Sequence, residues 1–288
     1  MLLQLLLQGI ATGFVYALVG LGYTLVFRTL NQIIFSQGHI FMAGCFMGYM
    51  VVVKMQLGPV LTILTVAILG IIFGIVLDRL VWKRLYNVEN MTFVIAAIGV
   101  GIILQNGVRI LFPEPVKFPP IFGDKIFTFF SAQIAEPYLW VIGISLFLIV
   151  SLFCFFSFTK YGKAMRAVAS DREIASAMGI NVSLYISATI VLSMTIAAIG
   201  GVLIGPLYFA SFDMGGMIGL KAFAAAVLGG ITSVPGTALG GILLGVIENL
   251  SAGYISSAYK DVVSLGVLVL MLLFRPQGIL GKAKPIKV

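Results

Sequence analysis

Long apolar runs alternate with short polar breaks along the whole chain. Runs close to the roughly 18 residues needed to cross a bilayer core recur. The hydrophobic pattern predicts spans over about 5–27, 39–53, 60–77, 92–112, 138–158, 184–209, 220–231, 236–251 and 262–274. The run at 220–231 is short for a full crossing. The predicted fold is all-α: a polytopic transmembrane helical bundle of about eight to ten membrane segments, read as one domain over residues 1–288.

Two breaks do not read as free loops. Residues 31–38, NQIIFSQG, are too polar for lipid and too apolar for solvent. Irregular backbone survives at membrane depth only inside protein or beside a water-filled cavity. Residues 159–183, TKYGKAMRAVASDREIASAMGINVS, carry Lys160, Lys163, Arg166 and Arg172. Ala164, Ala167, Val168, Ile174, Ala175 and Met178 recur there at helical spacing, which predicts a short amphipathic helix or helix pair. Gly162 and Gly179 bracket it, and Gly179 suits a helix C-terminus.

Composition sharpens the class. Apolar residues make up 60% of the chain, against roughly 45–50% in soluble domains. The net charge of +8 does not point to nucleic acid, because the charges sit in the loops between spans. An anionic membrane surface accounts for them. Arg28, the group Arg79, Lys83 and Arg84, the four cations of 159–183, and Arg275 with Lys282, Lys284 and Lys287 account for twelve of the 18 Lys and Arg. Placing these in the cytosol puts the N-terminus outside and the C-terminus inside. The acids Glu114, Asp124 and Glu136 then lie in an outer loop. The first apolar run lacks a preceding basic region and is read as a retained span rather than a leader. Cys45 and Cys154 lie in apolar runs with no metal-ligand spacing, so no metal is expected.

Polar residues inside spans are costly and face a bundle interior or a cavity. Gln105 and Arg109 share a helix face, four residues apart, with Asn106 beside them. Glu248 and Asn249 fall at similar depth in the Gly-rich region. These residues, with Gln37 and the single histidine, His39, are candidates for a solute path. Alternatively, Glu248 pairs with Arg109 or Lys221 to hold helices together, and His39 is an ordinary hydrogen-bonded residue. Gly9 and Gly13, Gly44 and Gly48, and Gly236, Gly240, Gly241 and Gly245 are spaced for close helix contact. Gly229, Gly230 and Pro235 form either a hinge or more of the same packing.

Several of these segments together resemble a known family. FSQGHIFMAG (35–44), IILQN (102–106), YGKAMRAVASDREIASAMGI (161–180), KAFAAAVLGGITSVPGTALGGILLGVIEN (221–249) and FRPQGILG (274–281) resemble the permease subunits of branched-chain amino acid ABC importers, the high-affinity leucine/isoleucine/valine type. Chain length is similar to the smaller, first permease of the pair. Glu173, Ala175 and Gly179, spaced E-x-A-x-x-x-G, resemble the cytoplasmic coupling loop of such permeases; Ile174 stands where the first alanine is usual.

The resemblance implies import across the inner membrane and several partners. These are a second homologous permease, two ATPase subunits carrying ATP and Mg, and a periplasmic or lipid-anchored binding protein. It assigns coupling to Gly162, Lys163, Ala164, Arg166, Ala167, Arg172, Glu173, Ala175 and Gly179, with the apolar face of 164–178 seated on the ATPase. The chain has no G-x-x-x-x-G-K-[ST] phosphate loop, so it is not itself expected to hydrolyse ATP or bind a cofactor. Permeases for urea, short amides or other amino acids would look much the same. An ion-coupled secondary transporter would want more embedded carboxylates than Glu248. An intramembrane enzyme would need a nucleophile–base or metal constellation, which one histidine and few inward acids do not supply.

Overall fold

The computed structural model describes residues 2–86, 88–123, 125–129 and 132–281. Asp124, Lys282, Lys284 and Lys287 lie outside the described residues. Helices α1 (Leu2–Leu30), α2 (Gln37–Met55), α3 (Pro59–Leu80) and α4 (Asn90–Leu111) come first. A hairpin follows, β1 (Ile126–Phe129) and β2 (Ala132–Ala135), then α5 (Glu136–Phe158). Two short helices, α6 (Lys160–Ser170) and α7 (Arg172–Ala177), precede α8 (Val182–Ile204). The chain closes with α9 (Met214–Gly229), α10 (Val234–Tyr254) and α11 (Lys260–Phe274). Counting α11 together with the 3-10 turn before it (Ser257–Phe274), eight of these helices are long and apolar enough to cross a membrane, and α9 is a shorter apolar helix. The protein is a polytopic helical membrane protein.

Helix α1 is the axle of the bundle. It is apolar all round, and 89% of its most hydrophobic window is buried inside the protein. A helix without a polar face must be wrapped on every side. It runs antiparallel to α10, and glycines set the distance between them. A Cβ at Gly13 would come 2.7 Å from the Gly241 carbonyl oxygen, and one at Gly241 would come 2.6 Å from the Ala17 nitrogen. Further along the same seam the hydroxyls of Thr24 and Thr237 lie 2.6 Å apart. Small residues let backbones meet, so dispersion and polar contacts replace the hydrophobic drive that lipid cannot give.

Segment 31–36 turns back into the protein, as its mixed polarity predicted. Gln32, Ile34 and Ser36 are buried. Helix α2 therefore begins partway into the bundle, with Gln37 Nε2 donating to the Ser193 carbonyl at 2.9 Å, midway along α8. The Gln37 side chain fills the space left by Gly22, and Gly38 lies against the backbone of Gly215 and Gly219 at the start of α9. Gly44 then meets Ala198 and Gly48 meets Val202, so α2 and α8 run in parallel.

The hairpin departs from the all-α expectation. It is short, and Gly123 at φ +85° turns the chain just before it. The loop containing it closes one end of the bundle. Val116 pairs with Ala210, Phe118 packs at Gly205, and Phe122 stacks on Trp140. The strands pair Phe127 with Ile134 and Thr128 with Gln133, a register that no hydrophobic alternation announces, since Ile126, Phe127 and Thr128 are all exposed.

Filling the central seam tests this architecture. Gly13→Val is expected to cost about 1–3 kcal/mol through overpacking, read as a lower aggregation temperature of the detergent-purified protein. Gly107→Val, where a Cβ meets open space, should leave that temperature unchanged.

Candidate functional site

Three groups of residues carry polar chemistry, and the fold keeps them apart. The first surrounds the start of α2. The His39 ring packs against Gly101 of α4, where a Cβ would come 2.7 Å from its Nδ1, and it is within reach of the Gln105 side chain. Ser36 Oγ, Gln37 Oε1 and His39 Nδ1 are buried without a hydrogen-bond partner among the described residues. Gln105 is half-buried, while Asn106 and Arg109 are exposed on α4. Asn106 Nδ2 folds back on the Ile102 carbonyl at 2.9 Å, and the Arg109 guanidinium sits 5.3 Å from the Phe212 ring centre. The structure thus brings His39 and Gln105 together, with Asn106 and Arg109 continuing along α4, while Gln37 is turned to Gly22 and Ser193 on α1 and α8.

The second group contains Glu248 and is separate from the first. Glu248 Oε1 pairs with Lys221 Nζ at 2.7 Å, and both side chains are 6% exposed. Lys221 also pairs with Asp261 at 2.5 Å. Tyr16 donates its hydroxyl to Glu248 Oε2 at 2.9 Å, and the Ser264 hydroxyl approaches the same oxygen at 3.3 Å. The cluster ties α1, α9, α10 and α11 into one unit. Of the two pairings open to Glu248 from sequence, the structure contains that with Lys221. Asn249 points elsewhere: its amide returns to the Gly245 carbonyl at 3.0 Å, and its Cβ covers Gly9. Asp261, Tyr16 and Ser264 were missed. The available signal was Lys221 itself, since a cation in an apolar helix calls for carboxylates.

The third group is the α6–α7 element. Thr159 caps α6 by accepting from the Gly162 amide at 3.0 Å, and Asp171 caps α7 by accepting from the amides of Glu173 and Ile174. Gly162 is pressed on Phe155 and Phe156, where a Cβ would lie 2.6 Å from Phe156 Cα. Gly179 ends the element at φ +80°, a left-handed conformation that glycine adopts without strain. Arg172 donates through Nη2 and Nε to the Thr29 carbonyl at 2.7 and 3.2 Å, fastening α7 to the end of α1. Burial lowers the Arg172 pKa from its usual value. Nearby, the Tyr86 hydroxyl donates to Asp78 at 2.5 Å and lies 3.0 Å from Ser187. Burial first, and the Asp78 carboxylate second, push its pKa up, so it remains a donor.

One expectation about this element changes. Val168 and Ala175 of the 164–178 apolar stripe, with Met165 beside them, are buried in the chain's own bundle, so that part of the stripe is unavailable to a partner. Ala164 and Ala167 are half-buried, and Lys163, Arg166 and Glu173 are exposed. Tyr161, Ile174 and Met178 stand free, at 67%, 60% and 75% exposure. An amphipathic helix between spans needs its first apolar face to anchor itself, and only a second face remains.

The glycines at the α9–α10 turn are filled packing positions. Gly229 meets the Gly236 backbone, Gly240 meets Ala225 and Gly229, and Pro235 occupies the first turn of α10. Gly230 has φ +105° and touches Gly278 and Gly281 of the terminal segment. Ile279 and Leu280 donate their amides to the Leu228 and Gly229 carbonyls at 2.9 and 3.0 Å.

An apolar bundle with re-entrant helix starts and a two-helix element at one end is the framework of a membrane permease. Residues 5–272 match the model of a family described as the permease component of branched-chain amino acid transport systems. The chain belongs to this family. It is 35% identical to the high-affinity branched-chain amino acid transport permease LivH of Salmonella typhimurium, over 99% of this chain and 97% of that protein. It is 34% identical to BraD of Pseudomonas aeruginosa, over 99% and 98%. The galactose/methyl galactoside import permease MglC of Salmonella typhimurium is 29% identical over 63% of this chain. Among solved structures, PsaBC from Streptococcus pneumoniae in complex with Fab shares the fold, with a TM-score of 0.53 at 13% identity and 95% coverage of this chain. The family is one of transport components rather than enzymes.

The buried charges give a direct test. Lys221→Ala strands Glu248 without its cation and is expected to destabilise the protein by about 3–5 kcal/mol. Lys221→Met combined with Glu248→Met should recover most of that loss in a thermal melt.

Proposed function

We propose that this chain is the smaller permease subunit of an ATP-driven importer of branched-chain amino acids, with α6–α7 as the element that receives mechanical work. The observation that carries this is the division of α6–α7 into an anchored face and a free one. Anchoring through Met165, Val168, Ala175 and Arg172 lets a push on the element reach α1, α5 and α8. The free residues Tyr161, Ile174 and Met178, flanked by Lys163 and Glu173, suit an apolar socket with a charged rim on an ATPase subunit.

In this reading α6–α7 lies in the cytosol, with the N-terminus outside and the C-terminus inside. Two ATPase subunits hold ATP and Mg, a second homologous permease completes the pathway, and a periplasmic or lipid-anchored protein delivers the solute. His39, Gln105, Asn106 and Arg109 face that pathway, because exposed polar groups on an apolar span need water or a polar solute beside them, whereas Gln37, buried against Gly22 and bonded to Ser193, holds the start of α2 in place. Glu248, neutralised by Lys221, serves the scaffold, which leaves no free carboxylate for ion coupling there. The names of the 34–35% identical relatives favour leucine, isoleucine and valine over urea or short amides.

Replacing Ile174 and Met178 with aspartate should abolish co-purification of the ATPase and labelled-leucine uptake together, while the permease still inserts. Retained uptake in that variant, or labelling of a Ser170→Cys variant by an impermeant thiol reagent from outside intact cells, would defeat the proposal. Arg109→Ala is expected to lower leucine uptake with unchanged ATPase binding.

A further inference from the structure

A cavity of about 560 Å³ opens where α1, α5, α6 and α10 converge at the α6 end of the bundle. Two arginines line it: Arg28 from the last turn of α1 and Arg166 from α6. Each lies in the electrostatic field of the other. Neither has a carboxylate within ion-pair distance among the described residues, and no Asp or Glu lines the cavity. Four hydroxyl residues, Ser157, Ser170, Thr232 and Ser233, complete its polar wall, and Phe27, Phe153 and Phe156 its apolar side. Ser233 accepts from the Gly236 amide, which leaves its own proton free to donate inward.

Two like charges facing one cavity repel each other unless an anion sits between them. A cleft lined by one sign of charge raises the local concentration of the opposite ion. A zwitterionic amino acid fits poorly, because nothing acidic is present to receive its ammonium.

We infer that this cavity is a phosphate-binding site, in which Arg28 and Arg166 clamp a tetrahedral phosphate group and the flanking hydroxyls hydrogen-bond to it. Guanidinium forks match phosphate oxygens two at a time, and a tetrahedral anion offers enough acceptors for both arginines at once. The phosphate comes either from a free phosphate ester or from a lipid headgroup, since basic pockets between spans capture such headgroups. In the second case the phenylalanines receive the start of an acyl chain. The site lies outside the candidate solute path, and its occupancy is independent of which solute is moved.

The test uses the full chain with its partner subunits, purified in phosphate-free detergent buffer. Inorganic phosphate is titrated calorimetrically against wild type, Arg28→Gln and Arg166→Gln. In parallel, the complex is moved into nanodiscs of phosphatidylcholine with or without phosphatidylglycerol, and retained lipid is counted by native mass spectrometry. The expected result is binding weakened about tenfold or more in each glutamine variant, with Arg28→Lys intermediate because it keeps charge but loses the fork. A titration signal that is lost in both glutamine variants identifies a free phosphate, whereas selective retention of phosphatidylglycerol by wild type without such a signal identifies a lipid. Equal behaviour of wild type and both variants in both arms overturns the inference. Amide exchange on the wild type guards against misfolded variants. Phosphate or phosphatidylglycerol must slow exchange around residues 166–170 and 232–236, and no change there overturns the site as well.

Discussion

The whole bundle depends on how closely α1 can approach α10. In lipid there is no water to expel between two apolar helices, so contact distance decides whether they stay together. Gly13 and Gly241 remove the side chains that would hold the axes apart, and the backbones touch along a seam that ends at the Thr24–Thr237 hydroxyl pair. Helices α8 and α9 then pack around the same axle. Of the other spans, α3, α4 and α5 are each only 22% buried in their most apolar windows, and the α11 span 11%, so these face outward.

A rigid centre gives the peripheral elements something to act on. Arg172 holds α7 to the end of α1, and Gly162 lets α6 sit directly on α5. Both contacts of α6–α7 thus run through backbone, at the Thr29 carbonyl and at Phe155–Phe156, rather than through flexible side chains alone. The Lys221–Glu248–Asp261 cluster plays the matching part farther along α10, joining α9, α10 and α11. Such buried ion pairs contribute little net stability but penalise any rearrangement that separates them.

Much of this was legible in the sequence. Hydrophobic period and length located the eight long spans, and α9 was flagged by its shortness. The polarity of 31–38 was enough to place it inside the protein, because no other environment accepts such a segment at depth. The α6–α7 pair was visible as a basic, helical interruption. Long-range partners were not visible. Glu248 reads alike whether it lines a path or pairs with Lys221, and Asp261 looks like an ordinary loop acid until the fold brings it to 2.5 Å from that lysine. Likewise, spacing shows that α6 is amphipathic but not which apolar side chains its own bundle consumes. Met165 and Val168 resemble Ile174 in sequence, and only packing separates them.

The docking of residues 279–280 on the end of α9 has a consequence for how that end is closed. The carbonyls of Leu228 and Gly229 have these terminal amides as partners, and Gly230 is shaped to be covered by Gly278 and Gly281. That turn is complete only once residues 278–281 fold back on it, so the segment acts as a clasp on an end of α9 that the preceding helices leave open.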